Sequence, residues 1–162
     1  MLRMLLTSIC LLFLLQADDT IERTLQSVHT KNSILLFYTT WCPACKRSIE
    51  LLNDIQRRYP RSVTILGAEL DDGVARTNNL EETPVAFERF SMLPKDAARY
   101  GVNESVPVIY VLDGVLQIVK RYSKVPNRTL FLQLIERLQA GYLENGTLPV
   151  EERIDLWQRS RE

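Results

Sequence analysis

The chain opens on an apolar run from Met4 to Leu15, with Arg3 before it and Gln16-Ala17-Asp18-Asp19 after it. Beyond that run, Ile21, Leu25 and Val28 recur at helical spacing, and Asp18-Asp19-Thr20 can cap a helix that begins there. The pattern predicts a helix from Thr20 to Thr30. Ile34-Leu35-Leu36-Phe37-Tyr38-Thr39 is a continuous apolar run rich in strand formers, as expected of a strand buried on both faces. Ile49, Leu52 and Ile55 then keep helical spacing up to Tyr59, where Pro60 ends the helix. Val63 to Leu70 reads as a second inner strand. Asp71 to Thr83 is polar and irregular, and Pro84-Val85-Ala86-Phe87 reads as a short added strand. Pro94 to Tyr100 has Pro at its start and Gly101 just past its end, so it predicts a short helix. Val108 to Leu112 and Val115 to Tyr122 flank Asp113-Gly114, a hairpin signal. Asn127 can cap a helix from Arg128 to Tyr142, with Leu130, Leu134, Ile135 and Leu138 on its buried face. A last amphipathic stretch, Val150 to Arg159, carries Ile154 and Trp157 and is expected to dock on the domain. Alternation first, then a hairpin and helices, predicts an α/β sandwich: a mixed central sheet with helices on both faces.

Length and composition narrow the class. The chain has 162 residues, 46% hydrophobic and 25% charged, which suits one globular domain. Its 20 Lys+Arg balance 20 Asp+Glu. That balance argues against a nucleic-acid surface, which needs clustered cations. A basic start, a short apolar stretch and a small residue before a polar segment form a signal-peptide pattern over 1–17, with an uncleaved anchor as the alternative. The run is short for a membrane span, which needs about 20 residues. The expected division is 1–17 signal peptide, 18–148 folded domain and 149–162 helical extension. Export places the product in a periplasmic or other exported compartment, where disulfides persist.

Three cysteines are present, and Cys10 lies in the segment expected to be removed. Cys42 and Cys45 then form a lone C-x-x-C pair at a strand-to-helix junction. Half of a zinc site would need a second ligand pair, but His29 is the only histidine and no other mature cysteine exists. An inert disulfide closing two residues would contribute little. A redox pair suits the context better. The helix N-terminus favours a thiolate at Cys42, which makes it the nucleophile and a good leaving group. Cys45, one turn in, would be more buried and would attack back. Pro43 suits the first helical position. Trp41 flanks the motif, either covering it or shaping a substrate surface.

Phe37-Tyr38-Thr39-Thr40-Trp41-Cys42-Pro43-Ala44-Cys45-Lys46 resembles the active-site stretch of thioredoxin-like proteins. The stretch from Tyr100 through Val106-Pro107 to Asp113-Gly114 resembles that superfamily's cis-proline loop, strand and hairpin. The resemblance spans roughly Ser33 to Ala140 and implies a thioredoxin-like sandwich. It implies a cis Val106-Pro107 peptide beside the cysteines, and a substrate surface of Trp41, Pro43, Ala44, Val106 and Pro107. It further implies an exported thiol–disulfide oxidoreductase acting on cysteine-containing proteins without metal or organic cofactor. A partner dithiol protein, often membrane-bound in this superfamily, would exchange electrons with it, and the chain would act as a monomer. The spacing is similar to TlpA-like proteins, and Leu70-Asp71-Asp72-Gly73 with its insert is similar to conjugation and type IV secretion proteins. Leu36 stands where thioredoxin carries a buried Asp, and Ser48 where TlpA-like proteins often carry Glu. Two rivals stay open: a dedicated reductase in cytochrome c maturation, and a non-catalytic interaction module of a secretion or conjugation system.

Overall fold

The computed structural model describes residues 23–24, 31–71, 83–103 and 105–140. The expected 1–17 segment, most of the Thr20–Thr30 helix, and the stretch from Val150 lie outside the described residues. Five strands form one sheet: β1 (Asn32–Tyr38), β2 (Val63–Leu70), β3 (Glu88–Met92), β4 (Val108–Leu112) and β5 (Ile118–Tyr122). Helix α1 (Pro43–Arg58) follows β1, α2 (Pro94–Ala97) runs into a 3-10 turn (Ala98–Tyr100), and α3 (Arg128–Gln139) closes the described chain. The sheet order is β3-β2-β1-β4-β5. β1 pairs parallel with β2, and β2 parallel with β3. β4 runs antiparallel to both β1 and β5. The sandwich is therefore α/β with a mixed sheet.

Strand β1 explains the layering. Ile34 to Tyr38 are wholly buried, so both faces of the strand are covered. Because strand side chains alternate, Ile34, Leu36 and Tyr38 enter one core with Ile49, Leu52 and Ile55 of α1 and Phe131 and Ile135 of α3. Leu35 and Phe37 enter the opposite core with Ala97, Tyr100 and Tyr110. The same alternation divides Ile109 and Val111 from Val108, Tyr110 and Leu112 on β4. The outer strands carry charge: Glu88 and Arg89 on β3, and Lys120 and Arg121 on β5, are exposed.

Four local expectations need correction. Pro84 to Phe87 is not a strand, and the edge strand is Glu88–Met92. The reason is competition for the backbone. Asn53 of α1 donates to the Pro84 carbonyl at 2.7 Å and accepts from the Ala86 N–H at 2.8 Å, which ties that segment to a helix instead of a ladder. The hairpin turn is longer than Asp113-Gly114. Asp113 Oδ1 accepts from the N–H groups of Val115 and Gln117, and Leu116, at φ 64°, holds the left-handed position. The returning strand accordingly starts at Ile118. On α3, Phe131, Ile135 and Leu138 are buried, while Leu130 is exposed. Ile135 and Leu138 thus face inward as expected and Leu134 packs half-buried against the same core, while Phe131 takes the inward place expected of Leu130. Asn127 does cap α3, its side chain accepting from the Leu130 N–H. The short helix closes as expected on left-handed Gly101, but its last turn is 3-10.

Candidate redox site

The site forms where β1 hands over to α1. After Tyr38 the chain turns through Thr39, Thr40 and Trp41, and the Cys42 N–H donates to the Thr39 carbonyl at 3.4 Å. Cys42 is the N-cap of α1, in extended conformation, and Pro43 opens the helix. Proline fits there because the missing N–H would have no helical partner. The first turn of the helix contains no acidic residue. The Cys45 N–H donates to Cys42 Sγ at 3.3 Å. The cap is therefore a sulfur atom, placed to receive a helix-end donor that would otherwise be unpaired.

From the other side, the chain before β4 closes on the same sulfur. The Val106-Pro107 peptide is cis. The Cys42 thiol donates to the Val106 carbonyl at 3.7 Å. Val106 is half-buried and packs against both cores, and Pro107 is buried. The structure thus brings Cys42, Cys45, Val106 and Pro107 together. Pro43 is exposed, Ala44 is half-buried and Trp41 is 37% exposed, so these three form the outer surface beside Cys42.

The two thiols are free and differ in setting. Cys42 keeps 9% exposure, whereas Cys45 has none. Burial pushes the Cys45 thiol well above its ordinary range, and its contact with the Cys42 thiol adds to that shift. Thr39 acts against it through both its backbone and its side chain. A first sulfur that keeps some access to solvent and a fully buried, protonated second sulfur are the arrangement that two-step disulfide exchange requires.

The burial of two polar side chains, Ser48 and Thr39, is not evident from the sequence. Ser48 is fully buried, and its hydroxyl donates to the Ala44 carbonyl at 3.2 Å. The sequence pattern makes Thr39 the last residue of a strand, yet it stands in the turn with a buried hydroxyl. A polar residue closing an otherwise apolar run is the available signal. Among the described residues no group of three or more His, Cys, Asp or Glu is placed to hold a metal ion. His29 and Cys10 lie outside the described residues.

No family model and no curated protein matches the sequence. Solved structures match in shape. A thiol:disulfide interchange protein described as a thioredoxin family protein, from Chlorobium tepidum TLS, matches with a TM-score of 0.57 and 18% identity, over 71% of this chain and 84% of its own. The chain has a thioredoxin-like fold. A second Chlorobium tepidum protein, described as thiol:disulfide interchange protein DsbE, shares it with a TM-score of 0.60 and 20% identity, covering 71% of this chain and 84% of its own. A secreted Mycobacterium tuberculosis disulfide oxidoreductase, described as homologous to E. coli DsbE, gives 0.54 and 20%, over 71% and 85%. In this thioredoxin-like fold the Cys42–Cys45 pair sits at the end of the central strand, where the parallel and antiparallel halves of the sheet meet.

Proposed function

We propose that this protein is an exported thiol–disulfide oxidoreductase that exchanges disulfides with cysteine-containing proteins. One observation carries the reading: Cys42 caps α1 with its sulfur facing the Cys45 N–H and the Val106 carbonyl, while Cys45 is sealed one turn inside. Cys42 attacks a client disulfide as the thiolate and forms a mixed disulfide, releasing the first client sulfur. Cys45 then gives up its proton, and its sulfur attacks Cys42 Sγ. The Cys42–Cys45 bond forms, the client leaves as a dithiol, and two electrons have passed to it. Run backwards, the same steps oxidise a client. Trp41, Pro43, Ala44, Val106 and Pro107 form the surface on which the client chain lies. A partner dithiol protein resets the pair.

Export rests on the pattern of residues 1–17 and fits the secreted mycobacterial oxidoreductase named above. The working unit is the 18–148 domain as a monomer, with 149–162 as an extension. The activities named for those neighbours, disulfide interchange in two and disulfide oxidoreduction in the third, support the exchange reading over a purely structural module. The test is reduction of insulin disulfides by dithiothreitol, with wild type against Cys42→Ser. Wild type accelerates insulin precipitation and the variant does not. Equal rates for both would sink the exchange reading.

A further inference from the structure

Among the described residues, Thr39 Oγ1 is a buried side-chain oxygen without a hydrogen-bond partner. The residue is 7% exposed, so bulk solvent has little access to it. A hydroxyl can donate one hydrogen bond, and a buried polar group left unpaired calls for a reason. The hydroxyl is not stray. The Thr39 carbonyl accepts from the Cys42 N–H, which pins the residue in the turn between β1 and α1. Its side chain lies near enough to Cys45 to favour the ionised form of that thiol, although it makes no well-formed hydrogen bond to it.

The missing partner can be deduced from acceptor strength. A thiol is a weak acceptor, and a thiolate is a strong one. In the dithiol form Cys45 is protonated, and Thr39 has nothing strong to donate to. During resolution, negative charge appears on Cys45 Sγ inside an apolar core formed by residues such as Leu36, Ile49 and Leu52. The ionisable group that acts on Cys45 is Cys42. At that stage Cys42 is tied into the mixed disulfide and has no S–H to offer. The Cys45 backbone N–H is already directed at Cys42 Sγ.

We propose that the Thr39 hydroxyl is the hydrogen-bond donor that receives the Cys45 sulfur as an anion while it attacks the mixed disulfide. The inference rests on the exchange reading above. In the step, Cys45 loses its proton, which ends on the departing client sulfur. The Cys45–Cys42 bond forms and the Cys42–client bond breaks. The client is reduced and the pair oxidised, and Thr39 keeps its own proton throughout. Thr39 lowers the cost of charge on Cys45 without titrating.

The probe is 5,5′-dithiobis(2-nitrobenzoate) added to the fully reduced protein. Attack by Cys42 releases one coloured thiolate, and resolution by Cys45 releases the second. In Thr39→Val the first release is unchanged. The second slows by about three- to tenfold and its rate–pH curve moves to higher pH. That range combines a thiolate population reduced by about ten- to a hundredfold on loss of one charge-assisted hydrogen bond with a partly compensating gain in nucleophilicity. Thr39→Ala behaves as Thr39→Val does, and Thr39→Ser restores both the rate and the curve. A second release with wild-type rate and pH profile in both Val and Ala variants overturns the inference, as it would if an ordered water satisfied the hydroxyl. Failure of Thr39→Ser to restore the step also overturns it. A wild type that releases no second equivalent overturns the exchange reading itself.

Discussion

Cys42 and Cys45 stand three positions apart, and the structure gives them opposite surroundings. Cys42 holds a helix cap and some exposure, whereas Cys45 is sealed in the core. Cys45→Ala should therefore leave the first attack intact and remove the second. With a disulfide-containing client the variant should accumulate a stable Cys42-linked adduct close to one equivalent, seen by mass spectrometry under non-reducing conditions. Wild type should show only a transient one, and absence of the adduct would contradict the assigned order of attack. The cysteines were legible in sequence because a C-x-x-C pair after a buried strand is a local pattern. The Thr39 hydroxyl was not, because burial and a missing partner are properties of the packed core.

At the scale of elements, the strands β2 and β4 were legible to the residue, since their apolar runs are bounded by turn formers. Edge strand β3 was not. Its sequence, ERFSM, is polar because it lies at the sheet margin, and the apolar Pro84–Phe87 segment draws the assignment instead. Phe87 explains why that segment matters. Its Cε2 lies 3.0 Å from where a Cβ on Gly67 would sit, and Tyr38 Cε1 lies at 3.1 Å from the same point. Gly67→Ala should overpack this contact and destabilise by about 1–3 kcal/mol. Urea unfolding checks it, and a neutral result would mean that the two rings yield freely. Helix α3 offers a paired test of the exchange of Phe131 for Leu130 on its buried face. Phe131→Ala should cost about 3–5 kcal/mol, and Leu130→Ala should stay within about 0.5 kcal/mol. The sequence pattern alone would assign the larger cost to Leu130. Comparable losses in the two variants would contradict the observed phase.

For the whole molecule, two cores share one central strand, and Cys45 and Tyr38 are among the ionisable groups that the core facing α1 and α3 holds in neutral form. Burial raises Cys45, and burial with the neighbouring Glu69 carboxylate raises Tyr38 from 10.0 to about 12. The Tyr38 hydroxyl donates to Glu69 at 3.1 Å. Both groups keep their protons in the fold at pH values where the unfolded chain releases them. Their stabilisation is thus fully present below the unfolded values, about 8.5 for the thiol and 10 for the phenol, and is lost as pH rises through the folded values, at most about 1.4 kcal/mol per pH unit for each group. Urea midpoints of the dithiol form should fall between pH 8 and pH 11. The Tyr38→Phe variant should fall less steeply, and a flat profile for wild type would contradict the assignment. The α/β class and the placement of the cysteines at the end of a central strand were legible in hydrophobic alternation. Closure of the Val106 loop over that end depends on contacts between residues 64 positions apart, which periodicity does not encode.

The charged outer strands carry a consequence for how the molecule meets other chains. A bare sheet margin invites a foreign strand to zip on and stay. Glu88 and Arg89 on one margin, and Lys120 and Arg121 on the other, make such zipping costly in aggregation-prone mixtures of half-folded proteins. Among the described residues the thiols lie away from both margins, at the tip of the sheet. On the proposed exchange reading, a visitor held there would be released when its sulfur departs, leaving the same molecule free to serve the next.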